Sequence, residues 1–349
     1  MKFLNYRMKK YFLLLTFFVV SATILSAQSN RRYDYDSSYY QSYKGSIIAR
    51  VFFSKKYNQF SLDPPGNLPK MAYHANTTFS IGVGLTYRSL SFSFSKELSF
   101  LKSEKSKGPT NDFDLQLHLY KRKWTIDAIG EFYKGFYLTP HGVGTPDGQN
   151  FYVRPDMGVQ LVGGSVYRVL NDQRFSYGAG LSQNAWQKKS AGSFLLGGEV
   201  FYMAANADSS YIPSKTDSVN NQKNIRKLHL FEFGPGVGYA YTLVIREHFF
   251  ILGSINVNEN LHFSREIGNS LKADNIGLTT NFIFRLGAGY NLSRWGVSLL
   301  WIQSAINTKG QSSDYEYRNT IGSYRLVYFR RIALNRRMKR ILAPIPVSN

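Results

Sequence analysis

Phe79-Ser-Ile-Gly-Val-Gly-Leu-Thr-Tyr-Arg88 alternates without a break. Phe79, Ile81, Val83, Leu85 and Tyr87 share one face. Ser80, Gly82, Gly84, Thr86 and Arg88 share the other. An α-helix would scatter both sets around its axis, so the period of two predicts a strand. Leu90, Phe92 and Phe94 then alternate with Ser91, Ser93 and Ser95. The two runs predict a hairpin with a tight turn near positions 88–89.

The same grammar recurs along the chain. Phe113, Leu115, Leu117 and Leu119 oppose Asp114, Gln116, His118 and Tyr120. Trp124, Ile126, Ala128, Gly130 and Phe132 oppose Thr125, Asp127, Ile129, Glu131 and Tyr133. Further runs begin at Phe175, Phe233, Leu278 and Trp295. Weaker ones cover Ile47–Phe53, Gly158–Val169, Phe194–Met203, Phe249–Val257 and Tyr324–Phe329. This reading gives thirteen strands, whereas a barrel with both termini on one side needs an even number. The expectation is therefore 12–14, with the discrepancy between Gln183 and Lys227.

The 349 residues carry a net charge of +21, 16% aromatics and no cysteine. Absence of cysteine excludes disulfides, thiolate chemistry and a lipid-modified cysteine anchor. Lys2, Arg7, Lys9 and Lys10 precede the apolar run Phe12–Val20 and the small-residue stretch Ser21–Ala27. That order predicts a secretory signal peptide over 1–27, cleaved after Ala27. Cleavage removes four basic residues and no acidic one, which leaves +17. No later run of 18 apolar residues follows, so the exported chain is either soluble or a β-barrel.

Alternation alone does not choose between these, because a soluble sheet points its apolar face inward and a membrane barrel points it outward. Three features favour the barrel. Apolar runs end in aromatics, as at Tyr87, Trp124, Tyr241, Tyr290 and Trp295, which suits interface girdles. Glycines at i, i+2 (82/84, 178/180, 234/236/238, 287/289) lie opposite the apolar face. Connections alternate between short, near 88, 122, 171–173, 246 and 291–294, and long, over 57–75, 101–111, 139–153, 205–227, 264–275 and 305–315. The predicted fold is an all-β antiparallel transmembrane barrel of 12–14 strands with long outer loops and short periplasmic turns, in an outer membrane. The segments are a signal peptide (1–27), a polar N-terminal stretch (28–44), the barrel (45–330) and a basic tail (331–349). Thr320–Arg330 resembles a final strand of the kind that barrel-assembly machinery recognises. The tail either lies on an anionic leaflet or is solvated.

Several segments resemble an uncharacterised family of outer-membrane barrels from Gram-negative bacteria, a domain of unknown function. They are Lys134-Gly-Phe-Tyr137, Arg154-Pro-Asp156, Arg174-Phe-Ser-Tyr177, the stretch Gln187–Gly198, Asp208-Ser-Ser-Tyr-Ile-Pro213 and Gly234-Pro-Gly-Val-Gly-Tyr-Ala-Tyr241. The similarity runs from about Lys44 to Phe329, and Gln187–Gly198 is its most specific part. The resemblance implies fold and location and no reaction.

Polar residues expected to line the lumen are Asp114, His118, Asp127, Glu131, Arg174, Glu199, Glu232 and Arg285, with Arg154 and Asp156 at the mouth. They either pair and fill a narrow interior or line a path for solute. A plugged or narrow lumen is favoured, because unpaired charge in a low dielectric is costly. His118, Asp114, Gln116 and Ser91, Ser93 or Ser95 can be drawn as a nucleophilic triad, the basis of an alternative reading as an enzyme acting on lipid or lipopolysaccharide. No GxSxG or HExxH motif occurs, and the six histidines are scattered. No catalytic residue, metal or cofactor is assigned. The positive charge points to outer-membrane lipid and lipopolysaccharide as partners rather than nucleic acid. The leading function is a non-enzymatic barrel with an envelope structural or assembly role, or one that passes a small solute.

Overall fold

The structure is a computed structural model that describes residues 35–338, apart from 44, 67–69, 89, 102–103, 215–223, 270, 312–314 and 337. The expected signal peptide and the end of the basic tail lie outside the described residues.

In chain order the strands are β1 (Tyr40–Ser42), β2 (Ser46–Asp63), β3 (Met71–Ala75), β4 (Phe79–Tyr87) and β5 (Leu90–Glu97). Next come β6 (Asn111–Tyr120), β7 (Trp124–Thr139), β8 (Val153–Val169), the short helix α1 (Tyr177–Leu181) and β9 (Ala185–Gln187). The chain continues with β10 (Ala191–Asn206), β11 (Lys227–Ile245), β12 (Phe249–Ile267), β13 (Lys272–Asn291), β14 (Trp295–Lys309) and β15 (Glu316–Ala333).

All pairings are antiparallel. The last long strand closes on the first, from Glu316 opposite Asp63 to Ala333 opposite Ser46. The closed hydrogen-bonded ring has ten strands: β2, β3, β7, β8 and β10 to β15. Nearer the short turns the wall is wider. There β4 takes over from β3 beside β2, and the hairpins β4–β5 and β6–β7 bring the count at that level to twelve. Both numbers are even, as the chain's return requires. Facing one another in that wider part, β5 and β6 share no ladder among the described residues.

One expected strand is not in the wall. Residues 175–181 form α1 and its approach inside the barrel, and Tyr177 to Leu181 are all buried. A wall strand shows alternate residues to the outside, whereas a plug is covered on every side. The spacing of Gly178 and Gly180 imitated a wall and reflects close packing: a Cβ on Gly180 would sit 2.6 Å from the Leu252 side chain. Arg174 is consequently an exposed residue of the plug's rim, over the Tyr39 ring, and does not line the lumen. The plug is completed by β1 and β9, which pair from Tyr40–Gln187 to Ser42–Ala185. Two connections expected to be long, 57–75 and 264–275, are largely strand, and 305–315 is strand as far as Lys309.

Orientation follows the period-two reading. Val51, Val83, Leu85, Phe94, Val237, Ile251 and Leu299 are exposed on the outer surface. Phe79, Leu117 and Phe282 are half-buried there, with no second sheet above them among the described residues. This outer apolar belt starts at aromatics near the short turns, where Trp295 lies 6.0 Å from Tyr290 and 6.2 Å from Tyr328. It ends at a polar level: Lys55 on β2, Lys96 on β5, Lys134 on β7, Glu259 on β12 and Gln303 on β14. On β12 it runs from Phe249 to Val257, close to the length a tilted strand needs to cross hydrocarbon. Strands of up to 20 residues therefore continue well past the bilayer on the long-loop side. Val237 stands mid-belt on β11. Val237→Arg is expected to cost about 2–4 kcal/mol in urea unfolding from vesicles. A neutral result would show that this face does not meet lipid.

Inside, the layers run apolar, polar, apolar. Beyond the belt the interior is filled by Phe60, Leu62, Tyr73, Phe136, Met157, Leu228 and Tyr317, with Tyr211 and Ile212 of the following loop packed among them. Next to the short turns, Tyr167, Phe175, Tyr177, Leu181, Leu195, Leu252 and Phe329 pack the plug into the wall. The inward glycines make room for this filling. A Cβ on Gly236 would stand 1.9 Å from the Asn258 amide oxygen and 3.2 Å from the Tyr167 ring, whose hydroxyl crosses over to donate to that oxygen at 2.5 Å.

Candidate functional site

Between the two apolar layers lies a polar chamber of about 680 Å³. Its floor is organised by Asp127 of β7. The Asp127 carboxylate receives the Arg285 Nη2 of β13 at 2.5 Å, the His118 Nδ1 of β6 at 2.6 Å and the Tyr120 hydroxyl at 3.0 Å. The Arg285 Nη1 also donates to the Tyr177 hydroxyl of the plug at 3.2 Å and to Asn256 of β12 at 3.4 Å. One carboxylate thus ties three wall strands and the plug together. These groups meet because each stands on the inward face of its strand at the same height, as the alternation requires.

A second group lies nearer the polar end of the belt. Lys56 of β2 pairs with Asp114 of β6 at 2.7 Å. Gln116 donates to Asp114 and to Glu131 of β7, both at 3.2 Å. One oxygen of Asp114 and one of Glu131 are buried with no protein partner. Across the barrel, the Asn281 amide bridges Glu199 of β10 at 2.8 Å and Glu232 of β11 at 2.5 Å, and Asn260 adds a donor to Glu199 at 2.7 Å. Arg154 and Asp156 form a separate fork on β8 at 2.8 and 2.9 Å, with Arg154 also donating to the Ser209 and Ser210 carbonyls. That fork pins the loop at the far end and takes no part in the chamber.

Of the ten predicted residues, Asp114, His118, Asp127, Glu131 and Arg285 line the chamber together. Glu199 and Glu232 face the interior in their own amide network. The triad drawn around His118 does not assemble: its Nδ1 is held by Asp127 and its Nε2 lies 3.2 Å from the Gln116 side-chain oxygen, while Ser91 bonds to Thr86. Sequence reasoning missed Arg50, Lys56 and Arg325, which also line the chamber. The signal was present in β2, where Ile48, Arg50, Phe52, Ser54 and Lys56 share a face. A run that stops at Phe53 does not reach Lys56.

Residues 34–329 match the family described as Domain of unknown function (DUF4421). The chain belongs to that family. Its extent agrees with the resemblance seen in segments such as Lys134–Tyr137 and Gln187–Gly198. The most specific of those segments fastens the DUF4421 plug. The Gln187 side chain receives the Ser176 amide at 2.9 Å and donates to the carbonyls of Arg174 at 2.7 Å and Lys189 at 3.0 Å. No curated protein matches the chain. Among solved structures it is similar to the outer membrane protease OmpT of Escherichia coli, at 10% identity and TM-score 0.39, over 82% of this chain and 97% of that one. It is similar also to the Pseudomonas putida toluene transporter TodX, at 7% and 0.28, over 83% and 90%. The β domain of the Bordetella autotransporter BrkA gives 11% and 0.30, over 83% and 99%.

Proposed function

We propose that this protein is a non-enzymatic outer-membrane barrel, closed along its axis, that takes a small solute or headgroup into its central chamber. The observation that carries this reading is the double filling: an apolar layer beyond the belt and a packed plug beside the short turns. A water-filled pore through either layer would have to part fully buried aromatics. Export through a signal peptide cleaved after Ala27, assembly by barrel-assembly machinery acting on the last strand, and contact with lipopolysaccharide beyond the belt complete the reading. Planar-bilayer recording tests it. The expected outcome is absent or very small conductance, and large stable steps would overturn it.

The enzymatic alternative would need His118 to release one of its partners for a nucleophile. His118→Ala is expected to leave acyl release from phospholipid vesicles at the level of protein-free vesicles, as in the unchanged chain. A release that the unchanged protein catalyses and this variant loses would reinstate it.

A further inference from the structure

A chamber stopped above and below can exchange its contents only sideways, and among the described residues the wall has one place for that. β5 and β6 lie side by side in the belt and do not pair among the described residues. Their hairpin partners hold them only from the outside, Ser80–Tyr87 on β5 and Thr125–Lys134 on β6. The arch above them is tied shut by Asn76, whose amide donates to the carbonyls of Glu104 and Gly108, and by Thr110, which donates to Gly135. Below the arch the chamber reaches the outer surface: Phe94 and Phe113, exposed at 75% and 63%, belong to its lining. An unpaired strand edge is not tolerated against hydrocarbon, and is tolerated where it lines a wet cavity.

The chemistry inside this gap is divided by height. Glu97, Asp112 and Glu131 line its upper part and form no ion pair among the described residues. Arg50 and Arg325 line it deeper in the belt, likewise without a carboxylate partner. The Arg325 Nε is buried and has no hydrogen-bond partner, and the same is true of one Glu131 oxygen. Two guanidinium groups without a carboxylate partner, and three carboxylates whose neighbouring cation, Lys56, is already paired with Asp114, ask for a ligand that carries both signs. Apolar rings on the outer lips ask for one that also carries acyl chains.

We propose that the β5–β6 seam admits a zwitterionic aminophospholipid headgroup from the bilayer into the chamber. Its phosphate lies against Arg50 and Arg325, its ammonium faces Glu97, Asp112 and Glu131, and its acyl chains remain outside between Phe94 and Phe113. This rests on the axially closed reading above, whose own test is conductance. A conducting barrel would overturn that reading, whereas the seam is judged by lipid retention.

Native mass spectrometry of the full chain in detergent, titrated with phosphatidylethanolamine, phosphatidylglycerol or inorganic phosphate, tests the seam. The expected result is a phosphatidylethanolamine adduct on the unchanged protein, with weaker retention of phosphatidylglycerol and none of phosphate. Arg50→Gln combined with Arg325→Gln should weaken the adduct by about tenfold or more, since each guanidinium supplies charge-assisted contacts to the phosphate. Ser95→Trp, which fills the seam and leaves both arginines in the sequence, should do the same. It guards against misfolding of the double variant, and heat-modifiable migration on a gel reports folding of both. Equal retention in both folded variants would overturn the proposal. So would equal binding of inorganic phosphate, or a second protein chain found zipped to β5 or β6 in place of lipid.

Discussion

Arg285→Ala is expected to destabilise the barrel by about 3–5 kcal/mol, the cost of breaking a buried ion pair from one side. Arg285 is 2% exposed, at bilayer depth, and its guanidinium serves Asp127 on the wall, Asn256 beside it and Tyr177 on the plug. Truncation leaves the Asp127 carboxylate with His118 and Tyr120 alone and leaves Tyr177 without its charged neighbour. Much of the loss is the penalty of an orphaned charge, so removing the charge on both sides should recover most of it. Asp127→Asn with Arg285→Met is the test. The double variant should be more stable than Arg285→Ala, with a coupling energy above about 1 kcal/mol in a double-mutant cycle. Urea unfolding from vesicles followed by the four tryptophans gives the reading. A loss under about 1 kcal/mol for Arg285→Ala would mean that the chamber is wet enough to solvate Asp127, and the hub would lose its structural meaning.

The barrel itself was legible because a two-sided wall writes its environment into alternate residues. Phe79 to Arg88 and Leu278 to Tyr290 carry that code over their whole length. The upper ends of the strands were not legible for a physical reason. Beyond the polar level at Lys55, Glu259 and Gln303 the outside meets water instead of lipid, so stretches such as Ser264–Ile267 and Ala305–Lys309 read as loops although they remain paired. The plug was misread because burial on all sides erases the contrast on which alternation depends. Half of the chamber was legible from β6, β7 and β13, whose inward charges stand out against small neighbours. Arg50 and Arg325 were hidden between apolar residues of the first and last strands. The seam could not be read at all: each of β5 and β6 looks like an ordinary hairpin strand, and what sets them apart is the lack of a pairing between them.

Counted as the start of the basic tail, Arg331 instead lies within β15, which runs to Ala333, and its side chain turns inward and is 6% exposed. It donates to the Gln183 carbonyl at 3.1 and 3.2 Å, to the Ala185 carbonyl at 3.0 Å, to the Asn291 side chain at 2.9 Å and to the Leu292 carbonyl. Its guanidinium also lies 4.2 Å over the Tyr43 ring. One side chain of the closing strand therefore fastens both halves of the plug, so the plug can be locked only once the barrel has closed. Arg331→Ala removes a forked donor from several acceptors, and hydrogen bonds from a charged group contribute about 1.5–3 kcal/mol each without adding fully. A local loss of about 3 kcal/mol raises the fraction of molecules with an open plug roughly 100-fold. Trypsin reads this directly, because Arg174, Lys188 and Lys189 lie in the plug with their backbone held closed, Lys188 and Lys189 by the Tyr39 carbonyl. Cleavage there should accelerate by about the same factor when proteolysis follows the open population. Arg331→Lys should fall between, since an ammonium keeps the charge and loses the fork. Cleavage at the unchanged rate in a folded Arg331→Ala barrel would show that packing of Phe175, Tyr177 and Leu181 alone retains the plug.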